Sequence, residues 1–329
     1  MPIDRRAFGA SMGAAALSLA AGPLLAQAPG TFPSRPIRIV PFGTPGAPLD
    51  ILARVYGEKL QARWGQPIVV ETKPGAGGII AADFVAKAAP DGHTVLFTLP
   101  ASHINAAILQ PKLPYDPFKD FQPLSIIGTG GVMLVARADA PYNNAREFVE
   151  FARKQPKGLT YGTWGNGSSG HLMGELLKRQ AGVNLIHVAY KGEAPAHNDL
   201  FGNALDFAWA NPATAKTHSQ SGRIKVLGVT GTRRLSVLPQ VPTFTEQGFA
   251  GFDLDSWWGI YGPAKMPQPV VDAWAAALRE ITAMPDVSAR VVAFGLEPLG
   301  NTPAQFADRM KQDYARYAEL IKAAGVTVE

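Results

Sequence analysis

The chain has 329 residues, no cysteine and a formal charge of +5, from 31 lysines and arginines against 26 aspartates and glutamates. Without cysteine there are no disulfides, no thiol catalysis and no lipid attachment through an N-terminal cysteine, so no such membrane anchor is expected. The charge excess is mild and comes without a basic block or an interleaved aromatic stripe, which argues against nucleic-acid binding and leaves a modest pull on anionic solutes.

Residues 1–28 read as a removable export signal. Arg5-Arg6 precede Phe8, an Ala-rich apolar run follows through Leu17 and Leu19 to Leu25, and Ala26-Gln27-Ala28 closes it with an A-x-A cleavage pattern. Gly9, Gly13 and Gly22 interrupt the run, which suits a signal better than a membrane span of about twenty apolar residues. The paired arginines point to the twin-arginine route and a periplasmic destination. The roughly 300 residues that remain fit two domains better than one.

From Pro36 the pattern predicts a strand (36–41), a helix (50–64), a strand (67–71), a helix (79–89) and a strand (93–98), an alternation that implies βαβ units around a parallel sheet. Ile51, Leu52, Val55, Tyr56 and Leu60 recur at helical spacing, Asp50 is placed to cap the helix start, and Gly65 follows its end. A proline-rich passage with Pro111, Pro114, Pro117 and Pro123 separates this series from a second one: strand 132–136, helix 145–155, strand 159–164, helix 171–180, strand 184–190, then strands 204–209 and 224–230. The tail adds an extended segment (256–261), helices over 269–283 and 287–294, and a final helix that Thr302-Pro303-Ala304-Gln305 opens as a capping box. Helices without strands of their own must pack on an existing sheet, so the chain is expected to return to its first lobe. That gives lobe 1 as residues 29–127 plus 254–329 and lobe 2 as 128–253, with hinge crossings near Ile127 and Asp253.

Two loops carry the chemistry. Thr163-Trp164-Gly165-Asn166-Gly167-Ser168-Ser169-Gly170-His171 joins a strand to a helix through glycines and hydroxyls, where the first helical amides lack internal partners and the helix dipole adds positive charge. Pro41 to Asp50, with Phe42, Gly43, Thr44, Gly46 and Ala47, is built alike in the other lobe. Ligands of open α/β sheets bind beyond the carboxyl ends of strands, so the two loops would face one another across a cleft that binds a phosphate or a carboxylate. His171 lies under the second loop, either to meet the ligand or to pack the loop. Phe42, Trp164, Tyr190, Trp209, Trp257 and Trp258 cluster around the inferred cleft, with core packing the expectation for Trp257 and Trp258.

Other chemistries find less support. Gly165 to Gly170 matches G-x-G-x-x-G, yet Tyr190-Lys191 stands where a dinucleotide site needs an acid, so no nucleotide cofactor is expected. Neither Ser168 nor Ser169 has glycine at both −2 and +2, so the elbow of an exported α/β hydrolase, the alternative reading, is not met. The six histidines form no H-x-x-x-H pair, and no metal site is expected.

The chain resembles the Bug receptors, the extracytoplasmic solute receptors of tripartite tricarboxylate transporters, over essentially its whole mature length. The resemblance rests on Asp50-Ile51-Leu52-Ala53-Arg54, Lys73-Pro74-Gly75-Ala76-Gly77-Gly78, Ala89-Pro90-Asp91-Gly92, Leu113-Pro114-Tyr115-Asp116-Pro117, Tyr161-Gly162 through Gly170-His171-Leu172, and Tyr190-Lys191-Gly192. It implies a type II periplasmic binding-protein fold of two α/β lobes joined by a hinge, a Venus flytrap acting as a monomer and closing on a small carboxylate. One end of the ligand would meet Thr44 to Asp50, the other Thr163 to Ser169 with Ser102 and Asn211. It also implies docking to a two-component membrane permease and no covalent chemistry. Two departures stand out: the first loop is proline-rich where the family carries paired glycines, and Trp164 replaces a small residue, which alters the pocket's size.

Overall fold

The computed structural model describes residues 32–110 and 112–326; the export segment lies outside them. In chain order the first lobe forms β1 (Ile37–Pro41), α1 (Pro48–Trp64), β2 (Ile68–Val70), α2 (Ile79–Ala86), β3 (Thr94–Thr98), α3 (Ile104–Leu109) and β4 (Phe121–Gly130). The second lobe forms β5 (Met133–Arg137), α4 (Ala145–Ala152), β6 (Leu159–Thr163), α5 (Ser169–Ala181), β7 (Leu185–Ala189), α6 (Glu193–Phe201), β8 (Phe207–Ala210), α7 (Pro212–Gln220) and β9 (Ile224–Val229). The tail supplies β10 (Ser256–Pro263), α8 (Gln268–Ala283), α9 (Pro285–Ala293), β11 (Glu297–Pro298) and α10 (Pro303–Ala324).

These strands make two sheets, ordered β11-β4-β10-β3-β1-β2 and β7-β6-β8-β5-β9. Each keeps the parallel βαβ core that the alternation predicts, β1 with β2 and β3 in one, β6 with β7 and β8 in the other. The sheets are nevertheless mixed. β10 runs antiparallel between β3 and β4, and β5 antiparallel between β8 and β9. β10 follows the whole second lobe in sequence yet sits inside the first sheet, between β3 and β4.

The first crossing differs from the expectation at Ile127. β4 runs through Ile127 to Gly130, and the second sheet takes over at Met133. Pro123 hid this strand, because proline within a strand is confined to edges and irregularities; here it pairs with Tyr261 beside a register shift. Three short helices also escaped the sequence pattern: α3, α6 with Pro195 in its first turn, and α7 with Pro212 as its first residue. Proline is tolerated in a first turn, where its missing N–H is no loss.

The final helix begins as its sequence predicts. Gln305 N–H donates to Thr302 Oγ1 at 3.2 Å, and Thr302 N–H to Gln305 Oε1 at 2.9 Å. Its buried Phe306, Met310, Tyr317 and Ile321 belong to an apolar core continuous with Leu134, Phe148 and Tyr161 of the second lobe. Each such side chain contributes about 1.5–3 kcal/mol on burial. α10 therefore packs on β4, α3 and α5 together and ties the lobes side by side.

Candidate functional site

The first loop turns at Gly43 (φ 103°) and Gly46 (φ 82°), left-handed values that glycine adopts without a Cβ penalty. α1 starts two residues earlier than its periodicity predicts, with Ala47 as N-cap and no side-chain cap. Asp50 therefore does not cap the helix. It reaches back instead: Oδ2 accepts the Gly46 N–H at 2.8 Å and the Arg54 Nε at 3.1 Å, while Oδ1 accepts Arg54 Nη2 at 2.9 Å. Burial alone would raise the Asp50 pKa, but Arg54 and the Gly46 amide outweigh it and hold the group below the usual carboxylate range. The Gly46 amide and the Asp50 carboxylate are thus engaged within the loop, as is the Thr44 carbonyl, which accepts from Ala47 N–H at 3.1 Å.

The second loop turns at Gly165 (φ 135°) and Gly167 (φ 70°). Ser168 caps α5, its Oγ accepting the His171 backbone N–H at 3.3 Å. The His171 ring faces the loop from inside, where Nδ1 accepts the Gly167 N–H at 3.1 Å. His187 stacks on it with ring centroids 3.8 Å apart and reaches Thr163 Oγ1 at 2.6 Å, while that hydroxyl accepts the Gly165 N–H at 3.3 Å. Burial depresses the pKa of both histidines, that of His187 to about 4. Neutral rings are what an accepting Nδ1 and a close stack require. Thr163 and His171 accordingly brace the loop from behind.

Two adjoining cavities lie between the lobes. One, of about 310 Å³, is lined by Pro48, Leu99, Ala101, Asn105 and Trp258 from the first lobe and by Trp164, Ser169, Glu193, Asn211 and Thr214 from the second. The other, of about 560 Å³, is lined by Phe42, Gly77, Leu99, Ala101 and Ser102 on one side and by Trp164, Asn166, Gly167 and Ser168 on the other. Trp164 is a wall of both. A Cβ at Gly170 would stand 3.2 Å from the tip of that ring and 2.9 Å from the Cβ of Trp209, so glycine makes room for both tryptophans.

Of the residues singled out from sequence, the cavities gather Phe42, Ser102, Trp164, Asn166, Gly167, Ser168, Ser169 and Asn211. Thr44, Gly46, Ala47, Asp50, Thr163, His171 and Tyr190 do not line them. Tyr190 is drawn onto α6, where its hydroxyl donates to Asp199 Oδ2 at 2.5 Å. Trp257 is core, with its Nε1 donating to Asp313 Oδ2 at 3.0 Å. Successive residues of β10 face opposite ways, so Trp258 packs on the other side of the sheet against Phe97 and Phe294, and it also lines the smaller cavity.

Glu193 was missed. It opens α6 and reaches across to the start of α7, Oε1 accepting the Asn211 N–H at 2.6 Å and Oε2 the Asn211 Nδ2 at 2.7 Å. Burial raises its pKa against those hydrogen bonds and one from Thr214. The available signal was an acid directly after Tyr190-Lys191-Gly192. Around it, α1, α5 and α7 all begin at the cleft, at Pro48, Ser169 and Pro212. Three helix N-termini, each equivalent to about half a positive charge, make the cleft attractive to an anion without any basic side chain.

Residues 52–326 match the model of the tripartite tricarboxylate transporter family receptor. The chain belongs to this family of Bug-type receptors. The receptor is 35% identical over 308 residues to the UPF0065 protein of the tcbD-tcbE intergenic region of Pseudomonas sp. strain P51, covering 93% of this chain and 91% of that one. It superposes on the periplasmic binding protein BugD with a TM-score of 0.75 at 35% identity, covering 91% of this chain and all of the other. R. palustris Rpa4515, solved with adipate, gives a TM-score of 0.78 at 30% identity over 90% of this chain and 99% of that one. The receptor's two-lobed α/β architecture is therefore that of periplasmic binding proteins.

Proposed function

We propose that this receptor works in the periplasm as a monomer, captures a small organic acid between its lobes and hands it to a two-component membrane permease without chemically altering it. The observation that carries this reading is the interlobe cleft, which gathers helix N-termini from both lobes and the hydroxyls of Ser168 and Ser169, with Ser102 on the facing wall, and has no lysine or arginine among the described residues that line either cavity. Hydroxyls and amides hold a carboxylate firmly while letting it leave, as delivery requires. The family match and the adipate-bound relative support the ligand class. Calorimetry and thermal shift against a panel of small mono- and dicarboxylates test it. A binding acid at a hundred times its Kd adds about 2.7 kcal/mol of stability. A nucleotide that stabilises the protein when no acid does would overturn the reading. Export by the twin-arginine route is tested by replacing Arg5 and Arg6 with lysines, which should block that route; unimpaired export would assign the ordinary one.

A further inference from the structure

We propose that Glu193 receives a cationic group of the ligand, so that the acid taken by this receptor carries a protonated amine. The inference rests on the acid-receptor reading above and narrows its substrate class. Among the described residues, Glu193 is the one charged side chain in the lining of the smaller cavity, and the larger has none. Its hydrogen bonds come from neutral groups, the Asn211 N–H and Nδ2 at 2.6 and 2.7 Å, with Thr214 beside them. The nearest ring nitrogen, Nε2 of His197 at 3.9 Å, supplies no charge, because burial lowers the pKa of that ring to about 4.

The comparison with Asp50 is instructive. Both acids tie a loop to the start of a helix, but Asp50 has the Arg54 guanidinium against it, whereas among the described residues no lysine or arginine stands within 4.0 Å of Glu193. A glutamine would keep the bond from the Asn211 N–H and match the Asn211 side chain only with that amide turned over, and inside the fold the Glu193 charge meets the partial positive charge of the α6 and α7 N-termini but no full cation among the described residues. It is left facing the cavity. Asn105 stands on the opposite wall. The Glu193 carboxylate asks for an N–H donor on the guest, and Trp164 and Trp258, which line the same cavity, are aromatic rings of the kind on which an ammonium rests favourably. A second carboxylate placed there would meet like charge in a low-dielectric pocket. The acid end of the guest falls instead to the neutral donors at Asn166 to Ser169.

Calorimetry on the full mature chain with matched pairs tests this: L-alanine against propionate, L-phenylalanine against 3-phenylpropionate, 4-aminobutyrate against butyrate, with succinate and glutarate as dicarboxylates. The expected result is that at least one amino acid binds roughly tenfold or more tighter than its amine-free partner, the worth of a charge-assisted bond, and that Glu193→Gln removes most of this gap. Tighter binding of succinate or glutarate than of every amino acid overturns the proposal and leaves the acid-receptor reading standing. An amine preference that survives Glu193→Gln overturns the assignment to Glu193. If no acid of any kind binds, the receptor reading itself fails. The ranking on the unmodified protein decides the substrate class even where the variant does not fold.

Discussion

Trp164 is common to the two cavities between the lobes. It forms a wall of both cavities, and Gly170 makes space for its ring. Trp164→Ser removes this shared wall, so affinity should shift toward longer acids at the expense of short ones, read by calorimetry on an homologous series; an unchanged ranking would place the ring outside the ligand's path. Ser168 serves two purposes that a pair of variants separates. Its oxygen caps α5, and among the described residues its hydroxyl has no acceptor, which leaves it to offer to a carboxylate. Ser168→Ala should cost about 1 kcal/mol of stability and Ser168→Gly only a few tenths, because glycine is itself a tolerable N-cap. Both should lose about 1.5–3 kcal/mol of acid affinity, the worth of a charge-assisted hydrogen bond. Affinity that merely tracks stability would mean the hydroxyl acts through the helix alone.

The second loop depends on a neighbouring strand as well as on its own glycines. His171 accepts from Gly167, and His187 on β7 stacks on His171 and holds Thr163. Because burial holds the folded pKa of His187 at about 4, the unfolded chain binds its proton first as pH falls from about 6.5. The stability this group contributes is whole above about pH 6.5 and is lost progressively down to about pH 4. Thermal melts across that window should show the midpoint falling, and His187→Gln should flatten this part of the profile; an identical slope would assign the acid sensitivity elsewhere. Loops of this kind are legible in sequence because glycines and hydroxyls at a strand-to-helix junction are a local signal. Glu193 was not, since its meaning arises only when α6 lies beside the start of α7, eighteen residues on. Asp50 was legible as a first-turn acid but not as a brace, because proline at position 48 moved the helix start. β4 was obscured by Pro123, and with it the place where the chain leaves the first sheet.

At the level of the whole molecule the first crossing is pinned to the end of β9. Val132 N–H donates to Thr230 Oγ1 and Thr230 N–H to the Val132 carbonyl, both at 3.0 Å. A Cβ at Gly131 would stand 2.0 Å from the Thr230 carbonyl oxygen, so Gly131→Ala must push the crossing away from β9, at about 1–3 kcal/mol by analogy with other overpacked sites. Chemical denaturation measures that loss; a variant of full stability would show the crossing to be free of β9. A second link spans the lobes outside the hinge. Glu297 on β11 accepts the amide of Ser236 at 2.6 Å and its hydroxyl at 2.9 Å, and its neighbour Leu296 lines the smaller cavity. Such a contact exists only while the lobes are close, so it favours the arrangement in which the cleft is formed, and a ligand that needs this arrangement binds in proportion to its population. Removing about 1 kcal/mol of such bias should weaken binding roughly fivefold. Glu297→Ala and Ser236→Ala are expected to raise the dissociation rate of a bound acid in stopped-flow traces and to enlarge the unliganded molecule in small-angle scattering. Their effects should be non-additive, since either change breaks the same pair; additive effects, or none on dissociation, would reduce this clasp to an ordinary surface contact.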